Sequence, residues 1–106
     1  MAYKILWQSK PSGTSNTTLY TVPAWKSTVT SSITIANTTA TADTFRIHIV
    51  PSWQSVGDTY VFAKDSGILG NDTITATVGF TLGEWDFINV YSWSWNVAFA
   101  VYGNEV

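Results

Sequence analysis

The sequence contains no cysteine and a single histidine. The first absence excludes disulfides and thiolate metal sites, and leaves the redox compartment unread. The second confines the commonest zinc ligand and general base to one position, His48. Charge is also scarce, at 11% of residues, where ordinary soluble domains carry about 25%. With five Lys and Arg and a net charge of -2 there is no basic footprint for nucleic acid. No apolar run approaches the ~20 residues of a membrane span, so no membrane partner is expected. The opening "MAYKILWQSKPSG" lacks the basic region, apolar core and small-residue cleavage site of a secretory signal, which predicts a chain made and folded in the cytoplasm.

What is present is hydroxyl and aromatic surface. Aromatic residues make up 15% of the chain and six are tryptophan. In "TTLYTVPAWKSTVTSSITIANTT", residues 17–39, the one charged side chain is Lys26. A chain of 106 residues suits one domain, residues 1–106, with one core.

Alternation with period two recurs along the chain. In "STVTSSITIA" it places Val29, Ser31, Ile33 and Ile35 on one face of a strand, and Thr28, Thr30, Ser32 and Thr34 on the other. In "TITATVGFTL", Ile74, Ala76, Val78, Phe80 and Leu82 oppose Thr73, Thr75, Thr77, Gly79 and Thr81. Further strands are predicted at Tyr3–Gln8, Leu19–Val22, Thr44–Val50, Tyr60–Ala63, Phe87–Ser92 and Trp93–Tyr102. Between them lie Gly-, Pro-, Asn-, Asp- and Ser-bearing turns such as "VPAWK", "PSWQSVGD", "DSGILGND" and "LGEWD". No segment has a helical period and no internal repeat stands out. The expectation is an all-β, antiparallel sandwich of jelly-roll type with about eight strands. The hydroxyl rows Thr28, Thr30, Thr34 and Thr73, Thr75, Thr77 are more neutral β surface than water requires, and at least one is expected to contact a second protein chain.

Ionisable groups offer little chemistry. His48 shares a predicted strand face with Arg46, opposite Phe45, Ile47 and Ile49, and is read as a surface or contact residue with no partner for acid–base work. Asp43, Asp58, Asp65, Asp72, Glu84, Asp86 and Glu105 fall in or beside turns, where a carboxylate binds its own backbone more readily than it joins a glycosidase pair. The spacing matches neither a zinc site nor the calcium loop. Asn16, Asn37 and Asn71 head N-x-[ST] triplets and are read as turns. No catalytic residue, cofactor or metal is assigned.

The tryptophans divide into two groups. Trp93 and Trp95 continue the apolar alternation of Val97, Phe99 and Val101 and are assigned to the core. Trp25, Trp53 and Trp85 lie in turns, where protein contact is favoured over sugar stacking because tryptophan is enriched in interface cores.

The succession "TLYTVPA", "SSITIANTT", "TFRIHIVPS", "NDTITATVGFTL" and "DFINVYS", closing with "NVAFAVYGNE", resembles a group of small virion proteins of tailed bacteriophages over nearly the whole chain. The resemblance implies a non-enzymatic structural accessory protein of the particle, made in the host cytoplasm. Capsid decoration ranks first, with the major capsid protein as partner and a homo-oligomer, a trimer at lattice three-folds, as the arrangement. A tail, neck or fibre component ranks second, and a host-glycan-binding receptor module third. Trp25, Trp93 and Trp95 depart from the smaller residues expected at their places.

Overall fold

The computed structural model describes residues 4–106. The period-two segments form nine strands: β1 (Lys4–Ser9), β2 (Thr17–Thr21), β3 (Thr28–Asn37), β4 (Asp43–Val50), β5 (Val61–Ile68), β6 (Thr73–Thr77), β7 (Thr81–Leu82), β8 (Phe87–Ser92) and β9 (Val97–Glu105). One 3-10 turn, Asp58–Tyr60, is the only helical piece among the described residues. Two antiparallel sheets result, one in the order β1-β9-β3-β6 with β7 also on β3, the other β2-β8-β4-β5. β6 and β7 are two halves of the predicted Thr73–Leu82 strand, parted at Val78–Phe80 and both paired with β3. Their alternation is as read: Thr73, Thr75 and Thr77 are exposed, while Ile74, Val78 and Phe80 pack on the core.

The core lies between the sheets, with Ile33, Ile35, Phe99 and Val101 from one facing Ile47, Ile88 and Val90 from the other. Phe45 meets Phe99 edge-on, ring centres 6.2 Å apart. Each such side chain contributes about 1.5–3 kcal/mol by leaving water. Strand propensity alone, about 1 kcal/mol across its whole scale, is too weak to build the sandwich without them.

Where the alternation misleads, a local irregularity is the cause. β3 inserts one extra residue against β9: Thr30 opposes Gly103 and Ser32 opposes Tyr102, leaving Ser31 unpaired. A bulge reverses the faces before it. Thr28 and Thr30, expected on the outer hydroxyl row, are therefore fully buried, while Val29 is only half-buried. Thr34, beyond the bulge, does face outward beside Ala36. Gly103 is required opposite the bulge, because a Cβ there would stand 2.4 Å from the Val29 carbonyl oxygen.

The strand predicted over Trp93–Tyr102 begins only at Val97. Ser94 donates its N–H to Asp43 Oδ2 at 3.2 Å and Thr38 N–H reaches Asn96 O at 2.9 Å, which draws residues 93–96 into a turn. Trp93 and Trp95 are thus 65% and 64% exposed instead of lying in the core. Of the predicted Tyr3–Gln8 strand, Tyr3 lies outside the described residues. The strand predicted at Tyr60–Ala63 starts one residue later and runs on to Ile68, through register shifts and a left-handed Asp65 (φ 52°).

His48 is also corrected. It lies opposite Asn89 on the far side of the sheet from Ile47 and Val90, as expected, but it is buried: the 3-10 turn packs against β4, and the Asp58 charge reaches the imidazole.

Candidate functional site

Three four-residue turns at one end of the sandwich share a single conformation. Lys26 N–H returns to Pro23 O at 3.3 Å, Gln54 N–H to Pro51 O at 3.2 Å, and Asp86 N–H to Gly83 O at 3.1 Å. The third residue of each is a tryptophan with positive φ: Trp25 at 64°, Trp53 at 66°, Trp85 at 68°. Positive φ at that position is the signature of a type II turn, where glycine or asparagine belongs. The turn Leu69–Asp72 obeys the rule, closing at 3.2 Å with Asn71 at φ 57°. A bulky side chain in the left-handed region costs roughly 1–2 kcal/mol, so the three tryptophans are not there to make the turns. Nor do they serve the core: Trp25, Trp53 and Trp85 are 93%, 92% and 45% exposed.

Strand order brings these turns together. β8 lies between β2 and β4, and Phe87 at its start opposes Thr21 on one side and Val50 on the other. The chain therefore leaves three adjacent strands at one level. Two carboxylates lace the turns to one another. Asp86 accepts Gly83 N–H and Ser52 N–H, each at 2.8 Å, and Glu84 accepts Trp25 N–H. Main-chain bonds Trp85 N to Val22 O (3.0 Å) and Val22 N to Asp86 O (2.9 Å) complete the frame. The outcome is a rigid base from which three indoles project, with polar Lys26 and Gln54 beside them.

Sequence reasoning placed all three tryptophans in turns but missed the signal that two of the turns are copies. Val22-Pro23-Ala24-Trp25-Lys26-Ser27 and Val50-Pro51-Ser52-Trp53-Gln54-Ser55 are both V-P-x-W-x-S. Each opens on a fully buried valine, just past the end of β2 or at the end of β4, and exposes its tryptophan three residues later. The match, four identical residues in six, was legible in the sequence alone.

Thr28 begins β3 just past the Trp25 turn but is buried, and the other threonine candidates lie farther along β3 and β6. Thr28 Oγ1 lies 2.9 Å from the Tyr20 hydroxyl, which also donates to Glu105 Oε2. Burial first, and the Glu105 carboxylate second, push the Tyr20 pKa up to about 12, so the hydroxyl stays a donor at any neutral pH. Thr30 Oγ1 donates to Phe80 O at 3.3 Å. Both are internal fastenings. Thr73, Thr75 and Thr77 lie along β6, and Trp93 and Trp95 occupy the opposite end, with Lys10 Nζ 5.0 Å from the centre of the Trp95 ring.

His48 has no hydrogen-bond partner at Nδ1, and neither has its neighbour Asn89 at Oδ1. Desolvation lowers the imidazole pKa, with the Asp58 charge opposing. Arg46 grips Asp65 at 2.7 and 3.3 Å, and Lys64 grips Asp58 at 2.8 Å, so the nearby carboxylates hold cations rather than orient the ring. Among the described residues no three His, Asp or Glu side chains gather as a metal site.

Searches of family models, curated proteins and solved structures found no match to this chain.

Proposed function

We propose that this chain is a non-enzymatic accessory protein of a tailed-phage particle, a decoration or cement protein that sits on the outer face of the capsid shell and holds the major capsid protein through its tryptophan end. The observation that carries this is the set of three tryptophans in left-handed turns, kept at a conformational cost and exposed. Backbone strain retained against an easy glycine alternative marks a site of function. Tryptophan is the residue most enriched among anchors that fill a partner's pockets.

The strand order adds support. The order β1-β9-β3-β6 facing β2-β8-β4-β5, with β6 and β7 counted as one interrupted strand, supports the jelly-roll reading. That architecture serves viral capsid and lectin domains. The lectin case defines a second reading, since Trp25 and Trp53 offer open indole faces on which a sugar ring could stack.

An electron-microscopy map of the particle that carries the protein tests the proposal. Density on the outer shell with residues 25, 53 and 85 against the capsid protein is the expected result. Density on the tail or neck would replace the shell assignment, and absence from the particle would overturn the virion reading. Saturable binding to host-surface polysaccharide that disappears in Trp25→Gly, with no binding to shells, would favour the lectin reading.

A further inference from the structure

A different surface is the outer edge of β6. Two flanking hydrogen bonds fix which way its backbone points. Val78 N–H meets Ser31 O at 2.9 Å and Asn37 N–H meets Asp72 O at 3.0 Å, which makes Ser32–Thr77 and Ala36–Thr73 the non-hydrogen-bonded pairs of the β3–β6 ladder. Ile74 and Ala76 therefore direct their N–H and C=O into β3. Thr73, Thr75 and Thr77 direct theirs outward, away from the sheet.

The other three edges are interrupted within their strands, whereas this one keeps its register from Thr73 to Thr77 and slips by a residue only beyond, where β6 gives way to β7. β1 shifts register between Ile5 and Trp7 and carries Lys4, β2 shifts between Thr18 and Tyr20, and β5 shifts twice and carries Lys64 and Asp65. Bulges and charges of that kind are what prevent a strand edge from recruiting another chain. β6 meets β3 with no register shift, holds no charge and no proline, and exposes all three threonines.

The sequence Thr73-Ile74-Thr75-Ala76-Thr77 is also its own complement when reversed about Thr75. An antiparallel copy would set Thr75 against Thr75, each Thr73 against a Thr77, and each Ile74 against an Ala76, large beside small. Threonine pairs stabilise such ladders. Thr73 N–H is held by Asp72 Oδ1 at 2.9 Å and would exchange that partner for a carbonyl.

We propose that two copies of this chain pair antiparallel through β6 about a two-fold axis at Thr75, joining the sheet β1-β9-β3-β6 and its copy into one continuous sheet. Each strand has one free edge, so the contact is isologous and closes at two, in place of the trimer that the phage resemblance implies. The dimer does not rest on the virion reading.

The test is the mass of the purified chain by light scattering, with substitutions that separate edge pairing from other association. The parent should weigh as two chains and Thr75→Pro as one, a two-fold drop with an unchanged circular dichroism spectrum, because the lost N–H is not used by β3. In this cysteine-free chain, oxidised Thr75→Cys should give a covalent dimer, as Cα atoms of hydrogen-bonded partners stand about 5.5 Å apart. Thr73→Cys should not, since the two-fold leaves its copies offset by ~13 Å along the strands. A monomeric or trimeric parent, a folded Thr75→Pro that stays dimeric, or equal cross-linking from both cysteine positions would overturn the proposal. A monomeric parent would leave the edge to a strand of another protein. If Thr75→Pro fails to fold, the cysteine pair decides.

Discussion

Asp86 Oδ1 accepts the backbone N–H of Ser52 at 2.8 Å across 34 residues of sequence. The other oxygen of the same carboxylate takes Gly83 N–H. One side chain thus fastens the Trp53 turn to the Trp85 turn, and Glu84 fastens the Trp85 turn to the Trp25 turn. The spacing of the exposed indoles depends on these two acids.

Asp86→Ala should destabilise the fold by about 1–3 kcal/mol in urea unfolding, because two main-chain donors lose a charged acceptor. Asp86→Asn retains an acceptor and should recover part of the loss. A cost no larger than that of an ordinary surface substitution, within about 0.5 kcal/mol, would show that the turns do not need the lacing.

Trp25→Gly and Trp53→Gly should separate docking from folding. Glycine relieves the left-handed strain but adds freedom to the unfolded chain, so stability should change by no more than about 1 kcal/mol, toward gain. Trp25→Ala keeps a Cβ at φ 64° and should not match glycine. Binding to shells should be lost in both glycine variants, and retention of binding would remove the tryptophan end from the contact.

His48 predicts a pH dependence. Its folded pKa is lowered by burial, so the unfolded chain takes up the proton first as pH falls below about 6.5. Stability contributed by the neutral ring is complete above that value and is lost on the way down to the folded pKa, at a rate of at most about 1.4 kcal/mol per pH unit. Unfolding free energies measured from pH 7 down to about 5 should slope accordingly, and His48→Gln should flatten that slope. Asp58 and Asp65, whose pKa values are lowered by Lys64 and Arg46, lose their share only at more acid pH.

Two lysine substitutions test the bulge at Ser31. Thr30→Lys would bury a charge with no partner and should cost several kcal/mol, seen as a collapse of the melting temperature. Thr34→Lys projects from the outer face and should fall within about 0.5 kcal/mol of the parent. Equal tolerance of both would mean that β3 keeps strict alternation.

The sequence by itself determined the all-β class and most strand positions, because period-two runs such as Thr73–Leu82 have one stable arrangement, apolar face inward. It also placed Trp25, Trp53 and Trp85 in turns, since proline, glycine and the acids around them disfavour continuation of a strand. Three further facts were decided only by tertiary structure. The bulge at Ser31 reversed Thr28 and Thr30 because one residue more or less on β3 is a matter of its partner, Gly103, and not of local pattern. Trp93 and Trp95 left the core because Asp43, some 50 residues earlier, captured Ser94 and closed a turn. The tryptophan end and the bare edge of β6 arise from strand order: β8 between β2 and β4 levels the three turns, and β6 on the rim of its sheet leaves three threonines facing out. Neighbours in a sheet are chosen by how two faces bury a common core, a property that no single segment carries.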